Sequence, residues 1–329
     1  MWLNELNEST EVLLDWQALL NPRVNKQYQI MAAPKSLFDP TTLAKYGRLS
    51  LIARNVVEGF LSGVHKSPYK GFSVEFAEHR QYYPGDEIRH IDWRVYGKTD
   101  RYYIKEHEEE TNLHAHLLVD ASGSMAYRGK AISKFTYAQY LSASLAYLML
   151  HQRDSVGLVV HDHLVRTMLP PRSTSKQLLQ ILHTLEKTKP GGETHLAPIW
   201  DRLAGQIRAR GMLLIFSDCF DQVNQLVHAL RHLRHRRHEI LLFHILAPEE
   251  IEFPFTRRSQ FCHLEVADQL RLIDPAAARA TYLQNFNTFC QSLRMQAANL
   301  QIDYHQIRTD EPVDRALGIY LMKRLARRQ

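Results

Sequence analysis

From about Leu113 onward, short unbroken apolar runs alternate with longer stretches whose apolar residues recur at threes and fours. The runs His114–Asp120, Ser155–His161, Met212–Ser217, His238–Leu246 and Gln301–Arg308 predict buried strands. Between and after them, helical spacing predicts helices over Ala131–Gln152, Ser173–Thr188, Pro198–Ala209, Asp221–Arg234, Ala276–Ala298 and Val313–Arg327. Strands alternating with helices imply an α/β fold, a doubly wound, mostly parallel sheet with helices on both faces. Leu164–Leu169 is expected to pair antiparallel with its predecessor through an Asp162-His163 turn. Phe255 to Asp274 reads as an insertion with short strands around Cys262–Val266 and Leu270–Ile273.

The N-terminal third follows another rhythm. Leu43, Tyr46, Leu49, Ile52, Val56, Phe60 and Val64 predict a helix within Leu37–Val64, closed by Gly63 and Ser67-Pro68. From Gly71 the pattern changes to alternation, and Arg101–Glu108 alternates similarly. Tyr83-Pro84-Gly85-Asp86 is a turn, because proline presets one dihedral and glycine frees the next. A short helical turn is expected around Ile88–Val95. Residues 1–36 read as an extension, with one amphipathic helix over Thr10–Leu20 stopped by Asn21-Pro22 and with Met31 as a candidate alternative start. Three segments result: 1–36 as extension, 37–112 as a helix plus a small β unit, and 113–329 as the main α/β domain.

Composition narrows the function classes. A hydrophobic fraction of 45% and a charged fraction of 23% describe an ordinary globular chain with a sizeable core. Forty-one Lys and Arg against 35 Asp and Glu give a net charge of +6, which permits an acidic partner without demanding nucleic acid. Cys219, Cys262 and Cys290 are too few and too scattered for a disulfide framework or a zinc motif. No apolar run approaches a membrane span. The N-terminus carries Glu5, Glu8, Glu11 and Asp15 where a secretory signal needs basic residues, so the expected location is cytoplasmic.

The candidate chemistry sits where the first long strand ends. Asp120-Ala121-Ser122-Gly123-Ser124 sets a carboxylate and two hydroxyls on alternate residues of a strand-to-helix turn. Such turns lie at the carboxyl edge of a parallel sheet, where ligands bind. Oxygen ligands suit a hard cation such as Mg²⁺. Taken alone, the three residues are equally good helix caps. Two further segments add to them. Gly191-Gly192-Glu193-Thr194 supplies a hydroxyl on a glycine-permitted loop, and Met212–Phe216 leads into Ser217-Asp218. A strand there that neighbours the first brings Asp218 to the same edge as Asp120.

Asp–Ser–Ser, then Thr, then Asp, in that order and on those elements, resembles the metal-ion-dependent adhesion site of von Willebrand factor type A domains. Upstream, Glu75-Phe76, Arg80, Tyr83-Pro84-Gly85-Asp86, Arg89, Ile91-Asp92-Trp93-Arg94 and Glu108-Glu109-Glu110 resemble the signature of the bacterial domain of unknown function 58 family. Its members carry a type A domain behind this motif, and the resemblance runs from about Leu37 to the C-terminus. It implies that Ser122, Ser124 and Thr194 contact Mg²⁺ (Mn²⁺ and Ca²⁺ being alternatives), with Asp120 and Asp218 bound directly or through water. It also implies a non-enzymatic adaptor that works with a MoxR-type AAA+ ATPase and grips a client protein through an Asp or Glu offered to the metal.

Other assignments compete. His195 beside Thr194 is the base that a metal-dependent hydrolase would use, yet it is one of 18 histidines and no second acid or base has a motivated position. The loop 191–194 lacks the lysine of a phosphate-binding loop. The basic 228–238 stretch and the Lys323-Arg324-Leu325-Ala326-Arg327-Arg328 tail invite nucleic-acid binding. Without interleaved aromatics they read instead as solvated faces, placed as the helix dipole favours. Arg80, Asp86, Arg89, Asp92 and Arg94 are expected to pair with one another around a packed Trp93, with ATPase docking as the alternative role.

Overall fold

The computed structural model describes residues 48–64, 79–82, 96–97, 102–105, 113–256, 259–262 and 270–326. The chain divides into two compact units, Met1–Gly59 with Leu113–Gln329, and Phe60–Asn112. In the smaller, β1 (His79–Gln81) pairs antiparallel with β2 (Tyr103–Lys105), Arg80 facing Ile104. The rings of Tyr96 and Tyr102 stack at 4.5 Å. Asp86, Arg89, Asp92, Trp93 and Arg94 lie outside the described residues.

The larger unit is built on a six-stranded sheet. Its strands are β3 (His114–Asp120), β4 (Ser155–His161), β5 (Val165–Arg172), β6 (Met212–Ser217), β7 (Glu239–Leu246) and, after the short hairpin β8 (Ser259–Cys262) and β9 (Leu270–Ile273), β10 (Asp303–Arg308). The order across the sheet is β10-β7-β6-β3-β4-β5, parallel except for β5. From β3 the chain first builds outward through β4 and β5, then returns to β3's other side with β6. The β3/β6 boundary is therefore the switch point, and a crevice opens there beyond the strand ends.

The central strands are buried along nearly their whole length, as two covered faces require. Helices α1 (Leu49–Val64), α2 (Lys134–His151), α3 (Ser175–Lys187), α4 (Leu196–Gln206), α5 (Val223–His235), α6 (Pro248–Glu252), α7 (Pro275–Asn299) and α8 (Val313–Ala326) complete the element order. On one face α4, α5 and α7 close over Leu118, Leu213, Ile215, Ile240 and Leu242, with Trp200 fully buried among them. The intervening residues Leu117, Leu214, Phe216 and Phe243 point the other way, because strand side chains alternate, and they too are buried. There α2 packs on β3, β4, β6 and β7 between α3 and α8. Serving as the central helix explains why α2 is buried nearly all round, Ser142 and Ser144 included. The backbone N–H of Leu49 at the start of α1 donates to Glu186 Oε1 of α3 at 3.0 Å, a carboxylate set against a helix N-terminus.

Boundaries moved by a few residues for local reasons. Helix α2 begins at Lys134 instead of Ala131 because Ser133 caps it, accepting from Thr136 N at 3.1 Å. Strand β5 runs through Pro170-Pro171 to Arg172, beyond the expected Leu169. An edge strand tolerates proline, which lacks the ladder N–H. Gly157 on β4 is required by that neighbour, since a Cβ there would stand 2.7 Å from the Leu169 carbonyl oxygen. Helix α6, a single turn opened by Pro248, has no counterpart among the helices expected from the sequence. Among the described residues no helix is long and apolar enough to cross a membrane.

Candidate metal centre at the sheet switch point

Strands β3 and β6 run side by side with Val119 opposite Phe216, so the next residues meet at the sheet edge. Ser217 Oγ donates to Asp120 Oδ2 at 2.6 Å, and Ser122 N–H donates to Asp120 Oδ1 at 2.9 Å. The chain then turns through a 3-10 segment, Gly123–Ala126, which places the Ser122 and Ser124 hydroxyls 3.1 Å apart. Beyond Ser217 the β6 chain closes its own turn: Cys219 N–H donates to Ser217 Oγ, and Phe220 N–H donates to Asp218 Oδ1. Cys219 pays for this geometry with φ of 55°.

The third loop is tied into the other two. Gly123 N–H donates to Gly192 O and Gly191 N–H to Ala121 O, both at 2.9 Å. Downstream, Asp221 Oδ2 accepts from Leu196 N at 2.9 Å and Ala197 N at 3.1 Å, so the loop after β6 caps α4. Thr194 lies between these fastenings and is buried. Arg166 of β5 holds the loop from outside, donating to Lys189 O at 2.7 Å and Gly191 O at 2.5 Å while its Nε bonds Asp162 Oδ2 at 2.6 Å. Gly192 has φ of 81° and lies so close to Asp162 that a Cβ would stand 2.9 Å from Oδ2. The Asp162-His163 turn expected from the sequence is thus also a clamp on this loop.

Asp120, Ser122, Ser124, Thr194 and Asp218 are all buried, on three turns hydrogen-bonded to one another. The residues that sequence reasoning missed are Lys134 and Glu250. Lys134 Nζ, fully buried at the first turn of α2, donates to Asp218 Oδ2 at 2.7 Å and Glu250 Oε1 at 2.6 Å. Glu250 of α6 is fixed in turn by Ala247 N–H on its Oε2 at 2.7 Å. Below them His244 of β7 links two strands: Nε2 donates to the Asp218 carbonyl at 2.8 Å and Nδ1 accepts from Tyr304 OH at 2.6 Å.

Electrostatics expose a shortage of positive charge. Burial and then the neighbouring Asp218 raise the Asp120 carboxyl to about 7, although the Ser217 and Ser122 hydrogen bonds work against the rise. Burial opposes the charge on Lys134, but Asp218 and then Glu250 outweigh it and lift the lysine above its ordinary value. Burial also raises Glu250 and holds the Cys219 thiol well above the usual range, so Cys219 stays a protonated filler. Burial brings His244 down to about 4, leaving it neutral. Lys134 thus pairs with two buried carboxylates, Asp218 and Glu250, while the buried Asp120 is held by the Ser217 hydroxyl and the Ser122 N–H. Among the described residues no group of three or more His, Cys, Asp or Glu is placed to hold a metal ion. The donors here are two carboxylates and three hydroxyls, a hard-oxygen set that fits Mg²⁺ and lacks the nitrogen or sulfur that zinc favours.

Residues of the competing assignments have polar partners of their own. His195 is exposed beside Glu193, Nε2 to Oε2 being 3.5 Å. In the basic stretch, His232 Nδ1 meets Asp201 Oδ1 at 2.7 Å, while Arg234 donates to Leu300 O, His238 O and Gln301 Oε1. Arg327 and Arg328 lie outside the described residues.

The strand order with its antiparallel β5 edge gives the von Willebrand factor type A-like fold that the resemblance implied. Uncharacterized proteins of Mycobacterium bovis and Mycobacterium tuberculosis are 28% identical over 219 residues, which span 66% of this chain and 68% of theirs. Among solved structures, a conserved hypothetical protein BatB from Bacteroides thetaiotaomicron superposes with a TM-score of 0.46 at 14% identity, over 64% of this chain and 98% of that one. The SpRpn10 VWA domain does so with a TM-score of 0.37 at 12% identity, over 62% and 94%. The family described as Protein of unknown function DUF58 matches residues 78–288, and the chain belongs to it.

Proposed function

We propose that this chain is a non-enzymatic, metal-dependent protein-interaction adaptor. The observation that supports this most is the joining of three turns by hydrogen bonds, so that five buried oxygen-bearing residues lie on adjoining turns where the sheet changes direction. Ser122, Ser124 and Thr194 would hold the ion through hydroxyls, with Asp120 and Asp218 balancing its charge. A divalent ion held there supplies a positive centre to which an Asp or Glu of another protein binds. The chain's own part is to keep the donors converged: Asp221 and Arg166 fix the Thr194 loop, and Ser217 orients Asp120. As in the family resemblance, the proposed partner is a MoxR-type AAA+ ATPase, which would supply the work while this chain tethers the client.

The test is calorimetric titration of the full chain with Mn²⁺ and Mg²⁺, beside Asp120→Ala. A saturable site lost in Asp120→Ala is expected, together with retention of the ATPase from the same genome that EDTA abolishes. Equal heats in both proteins, or retention indifferent to EDTA and to the substitution, would sink the proposal.

A further inference from the structure

Lys134 is fully buried, and both of its carboxylate partners are buried with it, so its charge acts inside the protein at short range. One partner, Asp218, belongs to the candidate metal centre. The other, Glu250, contributes no oxygen to that set and is locked by the Ala247 N–H. A lysine placed only to stabilise α2 would not need to leave water, which is costly for an ammonium. A buried ammonium on one oxygen of a metal-site carboxylate has a specific consequence: it occupies Asp218 Oδ2, and it subtracts one negative charge from the field that an incoming cation meets. Glu250 adds that charge back from the far side.

We infer that Lys134 and Glu250 are opposed charge-setting residues that fix how tightly the site holds a divalent cation, with Lys134 weakening and Glu250 strengthening the hold. With a dication bound and all three carboxylates thereby held ionised, Asp120, Asp218 and Glu250 against Lys134 give a formal local charge of −2, which that one cation cancels. An incoming carboxylate then meets a neutral site. Without Lys134 the loaded site would stay negative and repel it. The inference rests on the metal-dependent reading above, and it adds that affinity is held down to keep the loaded site able to accept an acidic ligand.

The experiment is a charge series on the full chain, with Mn²⁺ as probe and free Mn²⁺ counted by electron paramagnetic resonance. Lys134→Met (formal charge −3) should bind Mn²⁺ roughly tenfold more tightly than wild type, a conservative figure for removing one unit of like charge from a buried site. Glu250→Gln (−1) should bind roughly tenfold more weakly. The pair Lys134→Met/Glu250→Gln (−2) should return to the wild-type value. A residue needed only for folding would give losses in both the single and the paired lysine variants. If Lys134→Met does not fold, Glu250→Gln and the pair still decide between the two. Wild-type binding with a flat series, or tighter binding by Glu250→Gln, overturns this inference alone. Failure of the wild type to bind Mn²⁺ overturns the underlying reading with it.

Discussion

Asp221 accepts the backbone N–H of Leu196 at 2.9 Å across 25 residues of sequence, so the turn after β6 caps the helix that follows the Thr194 loop. Two of the three turns at the sheet edge therefore share one hydrogen-bonding residue that is not itself among the five candidate donors. Asp221→Ala should lower stability by about 1 kcal/mol through loss of the cap. It should also weaken Mn²⁺ binding severalfold by releasing Thr194. Denaturant unfolding and Mn²⁺ titration on the same sample check both; unchanged affinity would show that the loop is held without Asp221.

Gly192 combines a φ of 81° with a close approach to Asp162 Oδ2. Gly192→Ala puts a methyl into both constraints and should cost about 1–2 kcal/mol. Because Gly192 O also receives the N–H of Gly123, the disturbance should reach the Ser122-Ser124 turn. Mn²⁺ affinity is expected to fall with stability. Gly205→Ala, where nothing lies within 4 Å of the new Cβ, is the control that should leave affinity alone.

Acid should destabilise the chain through buried histidines. Burial lowers His116 and His161 to about 4, against about 6.5 when exposed. Between those values the unfolded chain binds protons that the folded one refuses, so stability falls as pH drops from 6.5 toward 4. Each histidine accounts for up to about 3 kcal/mol of that loss. His116→Leu, which also removes a buried Nδ1 without a hydrogen-bond partner, should flatten the Tm-against-pH curve on this limb. A curve as steep as wild type would place the acid sensitivity elsewhere.

Tyr304→Phe removes the donor to His244 Nδ1 and leaves that buried nitrogen unpaired. A cost of about 1–2 kcal/mol is expected. Since His244 Nε2 orients the Asp218 carbonyl, a small weakening of Mn²⁺ binding should accompany it. Thermal unfolding with and without Mn²⁺ reads both effects.

Much of this was legible in the sequence for physical reasons. A sheet covered on both faces needs strands that are apolar throughout, and β3, β6 and β7 stand out as such runs. Asp120, Ser122 and Ser124 are legible because they are near neighbours, and Asp218 because it ends an apolar run. Lys134 and Glu250 gave no such signal: a lysine opening a helix reads as solvated, and Glu250 sits on a one-turn helix with no periodicity to display. Their meeting across 116 positions is a product of the fold. Arg166 escaped for a similar reason. On an edge strand it looks like an outward polar residue, and only the packed loop reveals what its guanidinium grips.

Strand β5 closes one side of the sheet with consecutive prolines, Pro170 and Pro171. Between Leu169 and Arg172 the strand carries one residue more than β4 opposite it, a bulge at the two prolines that bends the rim. A second molecule approaching that rim would meet a kinked edge short of donors and gain little by aligning with it. Crowded copies of this chain are thereby discouraged from knitting into extended fibres on that side.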